Sequence, residues 1–236
     1  MTTTAVPRRS LVDLGPLAQL RAGRLGRRLP QLYVGLVLYG LSIALAVRGH
    51  LGSFPWDVLH QGLAKHLPIS IGEALVVVSL LVLVLWIPLR EVPGLGTISN
   101  AIVLGVAADV FLAVLDQPDA LWLRGVYCLT GIVLCALATA MYVGAQLGRG
   151  PRDGLMTGLA RRTGLSLRLV RTLLEVTVVL LGLLLGGVAG VGTVLFALAI
   201  GPLTQAMLPA WIVELPARPQ PRPGAAAALD ARPRLD

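Results

Sequence analysis

Charged residues are scarce in this chain. Only 14% of its 236 residues are Asp, Glu, Lys or Arg, against about a quarter in a soluble domain. Residues 32–47, 71–89, 97–115, 121–147 and 166–208 hold almost none. Such runs exclude an ordinary soluble domain, because about 20 apolar residues cross the hydrocarbon core of a bilayer. Aromatic residues make up only 5%, and no basic stripe is interleaved with them. The net charge of +8 therefore does not describe a nucleic-acid surface. Arg8, Arg9, Arg21, Arg24, Arg27 and Arg28, a second group around 149–171 and a third in the tail flank apolar runs, as the positive-inside rule expects. Lysine is nearly missing: Lys65 stands alone against nineteen arginines, a compositional bias to which no role attaches. Cys128 and Cys135 are the only cysteines. Seven apart on one expected helix, they share a face, cannot bridge within it and read as small core residues.

Histidine is limited to His50, His60 and His66. His60 follows Asp57 by one helical turn, but two candidate ligands do not make a metal site. No Gly-Lys-Ser/Thr is present to cradle a phosphate, and no Ser or Cys stands in a motif with a His. The chain is expected to be no enzyme and to carry no cofactor or metal.

The apolar runs give an all-α polytopic membrane bundle. Long spans are expected at about 31–48, 70–89, 96–115, 121–146, 166–185 and 192–208. Two short helices, 55–66 and 151–163, each open on a proline, which suits the first position of a helix. At about 1.5 Å per residue, twelve or thirteen residues cover only half to two-thirds of a bilayer core. Residues 1–30 read as a basic, mostly disordered cytoplasmic arm with room for an interfacial helix around 11–28. Residues 31–115 form a first membrane unit, 116–120 a polar loop and 121–209 a second unit. Residues 210–236, rich in Pro, Ala and Arg, read as a disordered tail. Ala44-Leu45-Ala46 would suit a signal-peptide cleavage site, but residues 35–48 match the internal stretch 131–144, so a retained first span is expected.

The chain matches itself at an offset of 96. Residues 35–112 align with 131–208 without a gap, pairing Gly52 with Gly148, Pro55 with Pro151, Asp57 with Asp153, Gly62 with Gly158, Gly96 with Gly192 and Thr97 with Thr193. Leucine matches are expected by chance; Gly, Pro, Asp and Thr in register are not. Two homologous halves follow, each with three long spans and one short helix. If the short helices are re-entrant, there are six spans and the halves are inverted. If they cross, there are eight and the halves are parallel. Arginine placement leaves both open, and both bring the N- and C-termini to the cytoplasmic side.

The segments Pro55-Trp56-Asp57-Val58-Leu59-His60-Gln61-Gly62-Leu63, Gly94-Leu95-Gly96-Thr97-Ile98-Ser99-Asn100 and Gly148-Arg149-Gly150-Pro151-Arg152-Asp153-Gly154-Leu155-Met156, with Arg171, Glu175 and Gly192-Thr193 behind them, resemble the YczE/YyaS/YitT group of bacterial integral membrane proteins. The resemblance covers about 32–208. It implies a multi-pass protein of the bacterial inner membrane and brings no assigned activity.

Duplicated membrane folds place binding sites near the midplane, at Gly/Pro-interrupted helices in matching positions of the two halves. Gly52, Pro55, Gly148, Gly150 and Pro151 mark those interruptions. The candidate site residues are Asp57, Trp56, His60, Arg152, Asp153, Arg171, Glu175 and Asp109. Asp57 and Asp153 would take a cation, a proton or a basic group; equally, each suits the positive end of its helix. Arg171 and Glu175 are one turn apart on one face, and ionisable residues within spans face a cavity or a partner. Trp56 aligns with Arg152 and His60 with Met156, so a site here would be asymmetric, with an aromatic wall from the first half and positive charge from the second. The leading expectation is a transporter or permease for a small solute or ion, in contact with the lipid bilayer and able to pair with itself or another membrane protein. A non-transport scaffold, sensor or accessory subunit is the alternative, and an intramembrane enzyme acting on lipid-linked substrates a third.

Overall fold

The computed structural model describes residues 11, 12 and 14–215. Of the disorder expected at 1–30 and 210–236, the parts at 1–10, 13 and 216–236 lie outside the described residues; within the rest the chain is ordered, with α1 and the start of α2 before residue 31, the last turn of α9 at Trp211, and Ile212 and Val213 buried behind it. Among the described residues there are nine helices and no strand: α1 Pro16–Arg21, α2 Leu25–Gly49, α3 Pro55–His66, α4 Ile71–Leu89, α5 Leu95–Val114, α6 Leu121–Gly144, α7 Pro151–Thr163, α8 Leu167–Leu184 and α9 Val191–Trp211. Five of them, α2, α4, α5, α6 and α9, are long and apolar enough to cross a membrane. A sixth span was expected at 166–185. The helix there, α8, has 18 residues but carries Arg168, Arg171 and Glu175, so by composition it stands apart from the other five.

The first long helix begins at Leu25, not near residue 31. Arg28 and Gln31, at its lower end, are buried and tie it to the rest of the bundle. Arg28 donates from Nε to Ala145 O (2.8 Å) and from Nη2 to Gln146 O (2.6 Å). Gln31 Nε2 donates to Met141 O and Trp211 O. The start of α2 therefore shares one end of the bundle, called lower here, with the ends of α6 and α9. At the upper end Gly49 abuts Arg124 O at the start of α6, so α2 and α6 run antiparallel along their length. Small residues allow this approach: a Cβ on Gly35 or Gly131 would press on the backbone of the facing helix.

Helix starts are set by local chemistry. Ser70 and Glu73 form a reciprocal capping box on α4. Thr97 and Thr193 each accept from a glycine N–H three residues earlier, Gly94 and Gly190, at 3.1 Å in both cases. The two short helices begin after loops that turn back into the bundle, and they leave in opposite directions. α3 runs up to the end of α8, where Lys65 Nζ donates to Gly186 O. α7 runs down to the end of α4, where Arg161 donates to Leu89 O and Arg162 to Pro88 O. Each short helix packs chiefly on a long one from the other part of the chain, α3 on α8 and α7 on α4.

α4 and α5 cross closely at Gly72 and Gly105, where a Cβ on either would run into the other's carbonyl oxygen. Gly201 occupies the matching place in α9, yet a Cβ there would meet nothing within 4 Å. Gly105→Ala should therefore destabilise by about 1–3 kcal/mol through overpacking, while Gly201→Ala should stay within about 0.5 kcal/mol. Thermal melting of the purified protein in detergent separates the two; equal losses would mean that the α4–α5 crossing has room to spread.

Candidate functional site

The two loops ahead of the short helices are held by matching sets of bonds. Leu147 O accepts from Gly96 N–H (2.7 Å) and Arg149 O from the Thr97 hydroxyl (2.7 Å). Leu51 O accepts from Gly192 N–H (2.7 Å) and Ser53 O from the Thr193 hydroxyl (2.6 Å). Gly52 and Gly148 adopt φ of +109° and +136°, which lets each loop pass against the facing helix start. These bonds satisfy loop carbonyls that have no helical partner.

So held, the two loops aim the first turns of α3 and α7 at each other. The guanidinium of Arg152 lies over the ring of Trp56, 4.9 Å from its centroid, a cation–π contact. Beside this pair is a cavity of ≈ 260 Å³. Tyr39 and Tyr142 stand on one side of it, Phe54, Phe196 and Ile200 line its apolar wall, and Arg171 and Glu175 reach it from α8. Phe54 and Phe196 stack at 4.2 Å. Arg171 Nε donates to Glu175 Oε1 at 2.8 Å, so that pair is largely self-compensated. Asp153 lines the cavity and its Oδ2 accepts from the Tyr142 hydroxyl (2.5 Å). Arg152 Nη2 and Thr204 Oγ1 are buried with no hydrogen-bond partner among the described residues.

Asp57 and His60 do not line this cavity. Both are completely buried, with His60 Nδ1 3.0 Å from Asp57 Oδ1. Asp57 Oδ2 and His60 Nε2 have no partner among the described residues. Asp57 and Asp153 follow directly on Trp56 and Arg152 in the first turns of α3 and α7, the two turns that meet at the cation–π contact. Asp109 lies elsewhere. Its carboxylate accepts from the Ser70 hydroxyl and from Gly72 N–H (2.8 Å), which places it at the positive start of α4, a favourable position for an anion. Gly62 and Gly158 are contact points, against Gly182 and Leu185 of the α8 end and against Leu89 and Glu91 respectively. Among the described residues no group of three or more His, Cys, Asp or Glu is placed to hold a metal ion.

Sequence reading passed over Tyr39, Thr139, Tyr142, Thr204 and Gln205, all of which line the cavity. Thr204 and Gln205 were detectable as polar residues within a span. Tyrosines among apolar residues give no such signal. A second cavity of ≈ 360 Å³ lies toward the lower end, beneath Leu11, Val12 and Gln19, and shares Thr139 and Asp153 with the first. The Tyr142–Asp153 bond thus stands at the boundary between the two.

Residues 26–209 match the profile described as "Family of unknown function (DUF6198)". An "Uncharacterized protein" of Haemophilus influenzae is 44% identical over 180 residues, 74% of this chain and 83% of its own length. "Uncharacterized membrane protein YczE" of Bacillus subtilis is 30% identical over 179 residues, 75% of this chain and 83% of its own length. "Uncharacterized protein YyaS" of the same organism is 30% identical over 183 residues, 75% of this chain and 90% of its own length. No solved structure matches the chain.

Proposed function

The chain belongs to the YczE/YyaS family of membrane proteins, and from the geometry of its central cavity we propose that it transports a small solute between two inverted halves. One observation carries the reading: Trp56 and Arg152, each the second residue of a short helix and 96 positions apart, meet face to face beside an internal cavity. Discontinuous helices meeting at a midplane site are how duplicated transporters build a substrate pocket.

The matching bonds of the two loops support a duplication, since Gly96, Thr97 and Leu147 correspond to Gly192, Thr193 and Leu51. The opposite courses of α3 and α7 support inverted halves with re-entrant short helices and favour six spans, α8 included. Arg21, Arg24, Arg27, Arg90, Arg149, Arg161, Arg162 and Arg168 lie toward the lower end, against Arg48, Arg124 and Lys65 at the upper. By the positive-inside rule the lower end is then cytoplasmic, with both termini there, in the inner membrane of a bacterium.

In this reading the solute sits between Trp56, Arg152 and the Arg171–Glu175 pair. Asp153 is the element that changes: separation of Tyr142 from Asp153 would join the central cavity to the one beneath it. Protonation or cation binding at Asp153, with the buried Asp57 across the centre, would couple that step to a gradient.

Accessibility of Met156, which lines the cavity, tests the proposal without knowledge of the solute. The two native cysteines are buried and serve as a silent background. A Met156→Cys protein in vesicles of either orientation should react with a membrane-impermeant thiol reagent from both faces, with rates that respond oppositely to an imposed proton gradient. Reaction from one face only, indifferent to the gradient, rules out alternating access and leaves a static membrane protein.

A further inference from the structure

The central cavity has an opening on its side. α4 and α5 close on each other at Gly72 and Gly105, whereas α8 and α9 do not pack along each other. The reason is in the residues. Where α4 has Gly72, the matching place in α8 has Arg168, too large for a close crossing. Gly201 is left facing open space and lines the cavity. The gap between α8 and α9 therefore leads from the cavity to the flank of the bundle. That flank is apolar: Leu173, Val176 and Leu180 of α8 and Val194 and Leu198 of α9 are each half or more exposed, as expected of helix faces turned to lipid.

The inner end of the same passage is polar and carries both signs of charge. Arg152 is braced against Trp56, and its Nη2 has no partner among the described residues. A guanidinium fork of this kind suits the oxygens of a phosphate. Asp153 and Glu175 stand in the same cavity. Only Oε1 of Glu175 is taken up by Arg171, so its other oxygen and Asp153 offer acceptors to a ligand that also carries N–H donors. At ≈ 260 Å³ the cavity is smaller than the roughly 300–1,000 Å³ that encloses a drug-sized ligand. It has space for a headgroup but not for acyl chains.

We propose that the ligand of this site is a membrane phospholipid bearing a phosphate and a primary ammonium group, which enters sideways from the bilayer between α8 and α9. The phosphate binds Arg152, the ammonium group lies between Asp153 and Glu175, and the acyl chains stay in the gap beside Gly201. This rests on the reading of the cavity as the substrate site and names the class of that substrate.

Native mass spectrometry of the full-length protein tests it. The protein is purified in detergent and offered equimolar phosphatidylethanolamine, phosphatidylcholine and phosphatidylglycerol. Phosphatidylethanolamine should be retained about tenfold over the other two, the scale of one charge-assisted hydrogen bond. Asp153→Asn should abolish that preference, while Arg152→Gln should lower retention of all three lipids about tenfold. Gly201→Trp, at a position where an added Cβ meets nothing within 4 Å, puts an indole into the gap and should abolish retention with the melting temperature unchanged. If Asp153→Asn and Arg152→Gln do not fold, the Gly201→Trp arm decides alone. Equal retention of the three lipids, or retention that survives Gly201→Trp, marks ordinary surface lipid and overturns the proposal. Met156→Cys labelling separates the two readings: two-sided labelling without lipid preference leaves a transporter of a water-soluble solute, and lipid preference with one-sided labelling leaves a lipid-binding protein that does not transport.

Discussion

Arg28→Met is expected to destabilise the protein by about 3 kcal/mol or more, enough to lose most folded material from a membrane extract. Arg28 is completely buried. Its guanidinium donates to four main-chain carbonyls: Gln19 and Gly23 at and just beyond the end of α1, and Ala145 and Gln146 just past the end of α6. A helix end leaves carbonyls without intrahelical partners, and its partial negative charge favours a cation. Methionine fills much of the space but donates nothing, so several buried acceptors would be left unmet at once. Arg28→Lys should recover little, because a single ammonium cannot reproduce a planar fork serving four acceptors. The measurement is thermal melting followed by size-exclusion chromatography in detergent. Wild-type behaviour of Arg28→Met would show that water serves these carbonyls and that the arginine is dispensable. Gln31 and Gln146 extend the same clasp, the latter accepting from Val12 N–H and donating to Val213 O, so the losses should spread to the packing of the N-terminal segment and the end of α9.

Arg28 also marks the limit of what the sequence disclosed. It stands in a cluster with Arg21, Arg24 and Arg27, and such a cluster has the look of a solvated cytoplasmic arm. Its partners, Ala145 and Gln146, lie more than a hundred residues away, and no local rule reaches that far. The short helices were the opposite case. Pro55 and Pro151, each preceded by a glycine-containing break, define helix starts through their own backbone geometry, and the helices begin at those residues. The meeting of Trp56 with Arg152 lay between these two cases. The offset of 96 put them at equivalent positions, but only the opposite directions of α3 and α7 turn equivalence into contact. Asp109 looked like Asp57 and Asp153, an acid within an apolar run. Its role at the start of α4 depends on Ser70 and Gly72 of another helix. Arg168 in α8 stands where the offset of 96 puts a glycine, Gly72, in α4. Its consequence needs the Gly72–Gly105 crossing for comparison.

Gly148→Ala should cost about 2–4 kcal/mol, combining backbone strain of about 1–3 kcal/mol with overpacking of similar size, and should disturb the cavity as well as the fold. At φ +136° the residue occupies backbone space that is essentially glycine's own. An added Cβ would also lie 2.8 Å from Thr97 Oγ1 and 3.0 Å from Thr97 N. Thr97 is the residue that holds the loop by donating to Arg149 O, so relief of the clash would loosen the loop that aims Arg152 and Asp153. Gly52→Ala should behave alike, since its Cβ would strike the backbone of Gly190. Gly164 supplies the control. It too has a positive φ, +73°, but a Cβ there meets nothing within 4 Å, so Gly164→Ala should cost only about 1–2 kcal/mol, the left-handed penalty alone. Two readouts are needed: the melting temperature of each variant, and the thiol reactivity of Met156→Cys in each background. If Gly148→Ala lowers stability no more than Gly164→Ala and leaves Met156→Cys reactivity unchanged, the loop is not what positions the first turn of α7. If stability falls and reactivity changes together, fold and site share one hinge, and the glycine is conformationally required at the point where the chain turns back into the bundle.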